Sequence, residues 1–173
     1  MKKETKIHSD MIYSGSLLKL HKDTVQTAFG QSNREIIKHP GASVIIPLTT
    51  NNTILFVKQF RYAINNFLIE LPAGLIEKDE SPDKTAIREL REEVGFSANS
   101  IKYIGKIWTA PGFCDELIYV YIAQNLIFDP LPKDYDEEIE VVELKQSQAN
   151  EYIIDGKISD AKTIAALNIY SLL

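Results

Sequence analysis

Apolar and polar positions alternate only weakly over the first forty residues, and much more strongly afterwards. Residues 17–27 (LLKLHKDTVQT) and 34–39 (REIIKH) read as two strands, with FGQSN at 29–33 as the turn between them. Two strands cannot bury a core alone, so they need the rest of the chain or a second copy of it. His39-Pro40-Gly41 marks a break. Beyond it, ASVIIPLT (42–49) and TILFVKQF (53–60) are strongly β-prone, and the intervening Thr50, Asn51 and Asn52 signal a hairpin. FLIELPAG (67–74) is a strand running into a loop. Strands are also expected at 101–110, 116–126 and 140–144, and helices at 147–157 and 160–173. A long acidic loop with two prolines precedes the last strand. Strands mixed with a few helices predict an α/β or α+β domain built on a mixed sheet.

One further helix carries its own start and stop signals. Ser81 suits the N-cap, Pro82 the first helical position, and Gly95 a left-handed C-terminal cap. On a wheel of Pro82 to Val94, Ala86, Ile87, Leu90 and Val94 form the stripe expected to be buried. Glu89, Glu92 and Glu93 cluster about 120° away, at the rim of that stripe, where a cleft lies. Like charges stacked at this spacing repel by a few tenths of a kcal/mol unless offset. Arg88 and Arg91 offset part of the charge, and a hard divalent cation would do so more fully. The bland alternative is a solvated, salt-bridged face.

Composition narrows the function classes. The 173 residues fit one domain, or one domain with a small appendage, and 45% apolar residues suffice for a core. A net charge of −5 argues against nucleic acid or an anionic membrane as the main partner. It leaves room for a small anionic substrate whose charge is met by bound metal. One cysteine, Cys114, permits no intrachain disulfide, and a reduced, cytoplasmic setting is expected. The basic start lacks an apolar segment behind it, so no signal peptide is expected, and no run is long enough to span a bilayer. His8, His21 and His39 are scattered and suggest neither a metal set nor a triad. Trp108 reads as a core residue.

The acidic helix belongs to a longer pattern: Gly74, five residues, Glu80, seven residues, then Arg88, Glu89, Leu90, Glu92, Glu93, Gly95 and Phe96. This resembles the signature box of the Nudix hydrolases at every defined position. The resemblance implies an α/β/α sandwich around a mixed sheet, binding Mg²⁺ or Mn²⁺ and hydrolysing a nucleoside diphosphate linked to another moiety. Metal neutralises pyrophosphate oxygens and generates hydroxide near neutral pH, which suits this chemistry. By the family pattern Glu89 and Glu93 are metal ligands, Glu92 is a ligand or its close partner, and the Ala73 carbonyl joins them. Arg88 would hold a box glutamate in place.

The flanks resemble the ADP-ribose pyrophosphatase branch. Gln59-Phe60-Arg61 ahead of ELPAG matches a substrate-phosphate arginine at Arg61, and APGFCDE places Pro111 16 residues after Gly95. Glu116 corresponds to a family glutamate near substrate or metals. The early strands resemble a small β subdomain exchanged across a homodimer, giving residues 1–40 a dimerisation role and 41–173 the hydrolase domain. Arg34 and Glu35 would then reach the nucleotide base; without the resemblance they read as an exposed surface pair. Phe29 suits either stacking on adenine or a turn-adjacent core. The general base is expected in the acidic loop, at Glu137 or, next, Glu138. The resulting expectation is a cytoplasmic, Mg²⁺-dependent homodimer that splits ADP-ribose into AMP and ribose 5-phosphate. Another sugar nucleotide (GDP-mannose, ADP-glucose) or a non-catalytic nucleotide sensor are the alternatives. A sensor is disfavoured because all four box glutamates are present.

Overall fold

A computed structural model describes residues 2–132 and 138–173. The chain forms two compact units. One runs as far as Gly41 and includes Trp108–Leu117; the other comprises Ala42–Ile107 and Ile118–Leu173.

The first unit is an antiparallel sheet of β1 (Thr5–Ser14), β2 (Lys19–Thr27) and β3 (Gly30–Lys38), in that order. Three strands stand where the hydropathy pattern suggests two, because β1 buries none of its residues and carries no apolar rhythm. The β2–β3 turn is also tighter than expected: Thr27 pairs with Gly30, and Gln31, Ser32 and Asn33 already belong to β3. Gly30, at φ 119°, allows that closure. The segment around Cys114 joins β3 through a bridge to Ile37. Trp108, expected in a core, is about half exposed.

The second unit is built on two sheets. One has the order β7 (Ala73–Leu75), β4 (Ala42–Pro47), β9 (Leu117–Phe128), β8 (Phe96–Trp108); the other has the order β10 (Ile139–Lys145), β5 (Thr53–Arg61), β6 (Asn66–Glu70). Pairing is mixed, since β4 runs parallel to β9 and antiparallel to β7. Strand alternation divides the interior into two cores. Val44, Ile46, Ile54, Phe56, Val120 and Ile122 face α2 (Gln146–Ile154) and α3 (Ala161–Ser171), meeting Ala149, Ala166 and Leu167. Ile45, Leu55, Val57, Tyr121 and Ala123 face the other way, onto Ala86, Leu90 and Val94 of the signature helix. Helices therefore cover both sides of the sheets in an α/β/α arrangement. Among the described residues no helix is long and apolar enough to cross a membrane.

The expected hairpin at Thr50-Asn51-Asn52 forms only at its tip. Asn52, at φ 57°, turns the chain, the Thr49 N–H donates to the Thr53 carbonyl at 2.9 Å and Leu48 bridges Ile54, but β4 and β5 then enter different sheets. Both strands are buried on both faces, so each seeks a central position in its own sheet rather than an edge beside the other.

Candidate active site

The signature helix begins as α1 (Pro82–Glu89) and widens to π geometry over Leu90–Val94 before Gly95 ends it at φ 82°. Ser81 has extended backbone, but its side chain makes no cap hydrogen bond; its carbonyl accepts from Thr85 instead. Beyond Glu89 the wider turn alters the wheel. Hydrogen bonds that reach one residue further shift every later side chain around the axis. Ala86, Leu90 and Val94 are buried as expected, whereas Ile87 is 39% exposed. Glu89 and Glu93, placed at the rim by regular periodicity, are buried at 8% and 3% exposure.

Buried carboxylates need partners, and Arg88 supplies them. Its Nε and Nη2 grip Glu80 at 3.0 Å each, a fork on a carboxylate. Its Nη1 donates to Glu89 at 2.6 Å and to Glu92 at 2.9 Å, and Nη2 also reaches the Leu75 carbonyl at 3.0 Å. The Arg88 fork, with help from the Thr85 hydroxyl, draws the Glu80 carboxyl down to about 2. Glu93 accepts from the Ala73 backbone N–H at 2.9 Å, tying the helix to β7. Gly74 is required beside them, because a Cβ there would overlap the Glu89 carboxylate. Ala73, Glu89, Glu92 and Glu93 are thus brought into one neighbourhood.

That donor set is all oxygen, as a hard divalent cation prefers, and the absence of a side chain at Gly74 leaves the Glu89 carboxylate room that a Cβ would take. As the side chains stand, Arg88 takes the cationic position, and among the described residues no three acidic, imidazole or thiolate side chains are placed to hold an ion. A carboxylate has two oxygens, so Glu92 can keep the guanidinium on one and offer the other. The residues fit Mg²⁺ or Mn²⁺ on the chemistry of their donors.

A second charged cluster lies at the ends of β5 and β6. Arg61 Nε and Nη2 grip Glu70 at 2.7 and 2.8 Å, and Lys162 of α3 donates to the same carboxylate and to Asp160. Glu70 is 1% exposed. Burial alone would push its carboxyl up, but the hydrogen bonds from Arg61 and Lys162 outweigh burial and hold it below the usual range. Sequence reasoning missed Glu70, Lys162 and Asp160; the available signal was an acid set in the apolar run FLIEL.

Glu138 is exposed and lines a shallow pocket of about 140 Å³ with Lys58, Phe67, Ile139 and Glu140. Glu137 lies outside the described residues.

In the first unit, Arg34 forks onto Glu4 of the same chain, at 3.1 and 2.6 Å. Arg34 and Glu35 are consecutive on β3 and so project to opposite faces. Phe29, at the β2–β3 turn, is fully exposed and belongs to no core. Glu116 accepts from the Thr109 hydroxyl at 2.6 Å and lies 3.5 Å from His39 Nε2. The other ring nitrogen of His39 accepts from the Gly41 N–H, which puts the proton of the neutral ring on Nε2, facing Glu116. That pairing spans 77 residues of sequence and has no local signal.

A family model described as the NUDIX domain matches residues 38–167. The chain is 38% identical over 172 residues to a methanol dehydrogenase activator of Bacillus methanolicus, with 98% of this chain and 93% of that protein covered. It is 37% identical, at the same coverage, to an ADP-ribose pyrophosphatase of Bacillus subtilis. A crystal structure of an ADP compounds hydrolase matches at a TM-score of 0.86 and 22% identity, covering 99% of this chain and 94% of that one, a likeness of fold.

Proposed function

The chain belongs to the Nudix family, and from that premise we propose that it hydrolyses the pyrophosphate bond of ADP-ribose, giving AMP and ribose 5-phosphate. The observation that carries this reading is the full-length similarity to an ADP-ribose pyrophosphatase, joined to a complete box whose carboxylates gather beside Gly74.

Glu89, Glu92, Glu93 and the Ala73 carbonyl would hold Mg²⁺, with Mn²⁺ as a substitute. When bound, the metal supplies positive charge for the phosphate oxygens and lowers the pKa of water. The chain's own residues do the rest. Arg88 holds Glu80, Glu89 and Glu92 in fixed relation, so the carboxylates are preorganised. The Ala73 N–H orients Glu93. Arg61 presents a guanidinium to the phosphates, and Glu116, steadied by Thr109 and His39, contacts substrate. Glu138 or Glu137 takes the proton of the attacking water. Arg34, Glu35 and Phe29 contact the nucleoside.

The active form is a homodimer in the cytoplasm, with residues 1–40 as the dimerising subdomain and 41–173 as the hydrolase domain. Ile7, Met11, Ile12 and Tyr13 of β1 are all exposed, and they support a sheet that packs on a second copy.

The test is to incubate the protein with ADP-ribose, GDP-mannose and ADP-glucose in excess Mg²⁺ and resolve the products by ion-exchange chromatography. AMP and ribose 5-phosphate are expected, formed faster than products from the other two. GDP-mannose turned over as fast would replace the substrate assignment. Tight ADP-ribose binding without turnover would make the protein a sensor.

A further inference from the structure

The cluster at Glu70 has an unusual composition for a buried site. A carboxylate that is 1% exposed is shared by two cations from different elements, Arg61 at the end of β5 and Lys162 in the first turn of α3. The two cations differ in exposure: the Lys162 side chain is 16% exposed and the Arg61 side chain 41%. Arg61 spends its Nε and Nη2 on Glu70. Among the described residues nothing accepts from its Nη1, which leaves one edge of the guanidinium for a ligand. A guanidinium pinned along one edge and open along the other is a receptor for phosphate oxygens.

Lys162 decides how much charge that open edge keeps. A carboxylate gripped by Arg61 alone would neutralise it. With Lys162 in place, two cations balance the carboxylates of Glu70 and Asp160, and the outward-facing cation is Arg61; without it, the guanidinium would answer both carboxylates alone. Lys162 is itself held by Asp160, the N-cap of α3, whose carboxylate also accepts from the Thr163 N–H at 3.0 Å and its hydroxyl at 2.6 Å. The same Thr163 hydroxyl accepts from the Leu71 N–H at 2.8 Å. Leu71 lies between Glu70 and the Ala73-Gly74 segment that meets Glu93 and Glu89. One helix turn therefore fixes both the Arg61 head and the start of the loop that leads to the acidic site.

We propose that Lys162 is a positioning residue for Arg61: by sharing the Glu70 carboxylate and balancing Asp160 it sets the guanidinium's orientation and leaves its outer edge free to receive the phosphates of a nucleoside diphosphate. The proposal rests on the pyrophosphatase reading for its substrate, but the receptor itself is read from side-chain geometry.

A double-mutant cycle tests it, with Lys162→Met, Arg61→Ala and the pair, each followed by KM and kcat for ADP-ribose in Mg²⁺ and by calorimetric binding of inorganic pyrophosphate in Mg²⁺. Lys162→Met is expected to raise KM about fivefold or more with kcat nearly unchanged, and to weaken pyrophosphate binding by a similar factor. Lys162→Arg should restore most of both. In the Arg61→Ala background Lys162→Met should add nothing, because its effect passes through Arg61. Lys162→Gln, which keeps a hydrogen-bond donor without the charge, serves if the methionine variant does not fold and should weaken binding in the same sense. Equal losses from Lys162→Met with and without Arg61 would overturn the proposal, since a merely structural lysine acts on both backgrounds alike. Pyrophosphate binding that is unaffected by Lys162→Gln and Lys162→Met would also overturn it. Wild-type protein that binds pyrophosphate through this cycle yet leaves ADP-ribose intact would instead overturn only the substrate reading.

Discussion

Two charged clusters in the second unit are assembled in different proportions. At the signature helix, the carboxylates of Glu80, Glu89 and Glu92 converge on the single guanidinium of Arg88. At the ends of β5 and β6, two cations converge on the buried carboxylate of Glu70, and one of them, Lys162, also holds Asp160. The first cluster presents oxygen and suits a cation; the second is charge-balanced and turns one edge of the Arg61 guanidinium outward, where an anion can meet it. A pyrophosphate that carries metal needs both kinds of surface. The clusters also differ in what holds them. Arg88 reaches its partners within 13 residues of itself, whereas Glu70 and Lys162 are 92 residues apart and meet only through the packing of α3.

That contrast can be broken at four points, in falling order of effect. Glu70→Ala leaves two partly buried cations without their shared carboxylate, and about 3–5 kcal/mol of stability should be lost. Urea denaturation measures it; a loss below about 1 kcal/mol would mean that the cluster relaxes easily. Gly74→Ala pushes a methyl group into the Glu89 carboxylate. Displacing one carboxylate by about 1 Å should lower turnover about 100-fold while circular dichroism stays native. Acid should weaken both clusters by linkage. The Glu80 carboxyl lies near 2 in the folded chain against an ordinary value of 4.5, and Glu70 is also shifted down. Groups lowered in the folded state stabilise it fully above the unfolded value and stop doing so as pH falls through the folded one. Melting temperature should therefore drop between about pH 4.5 and 2, and Glu80→Gln should flatten that slope. The smallest effect is expected on the helix itself. Ile87→Ala should cost less than about 1 kcal/mol, whereas Leu90→Ala, fully buried, should cost about 2–5 kcal/mol. Equal costs would place Ile87 in the core beside Leu90, against its exposure.

Local pattern carried much of this architecture. Strands such as TILFVKQF stand out because they are buried on both faces, and the signature helix announces itself through Pro82, Gly95 and the spacing of its glutamates. β1 did not, because none of its ten residues is buried and no apolar rhythm marks it. The β4–β5 connection misled for a related reason: Thr50-Asn51-Asn52 describes a turn, but which sheet each strand joins is decided by distant partners, Ala73–Leu75 and Leu117–Phe128 for β4 and Ile139–Lys145 for β5. At the site, motif spacing reached Glu89, Glu92 and Glu93, but not the burial of Glu89 and Glu93. It could not reach Lys162 beside Glu70 or His39 beside Glu116, since each pair is made by folding rather than by neighbourhood in the chain.

The central claim, that the helix carboxylates hold a divalent cation, is tested most directly by Mn²⁺ titration followed by electron paramagnetic resonance, on wild-type protein and on Glu93→Gln. The account predicts saturable binding to the wild type that is competed by Mg²⁺ and is weakened at least about tenfold in the variant. Equal Mn²⁺ affinity in the two proteins, or none in the wild type, would contradict it.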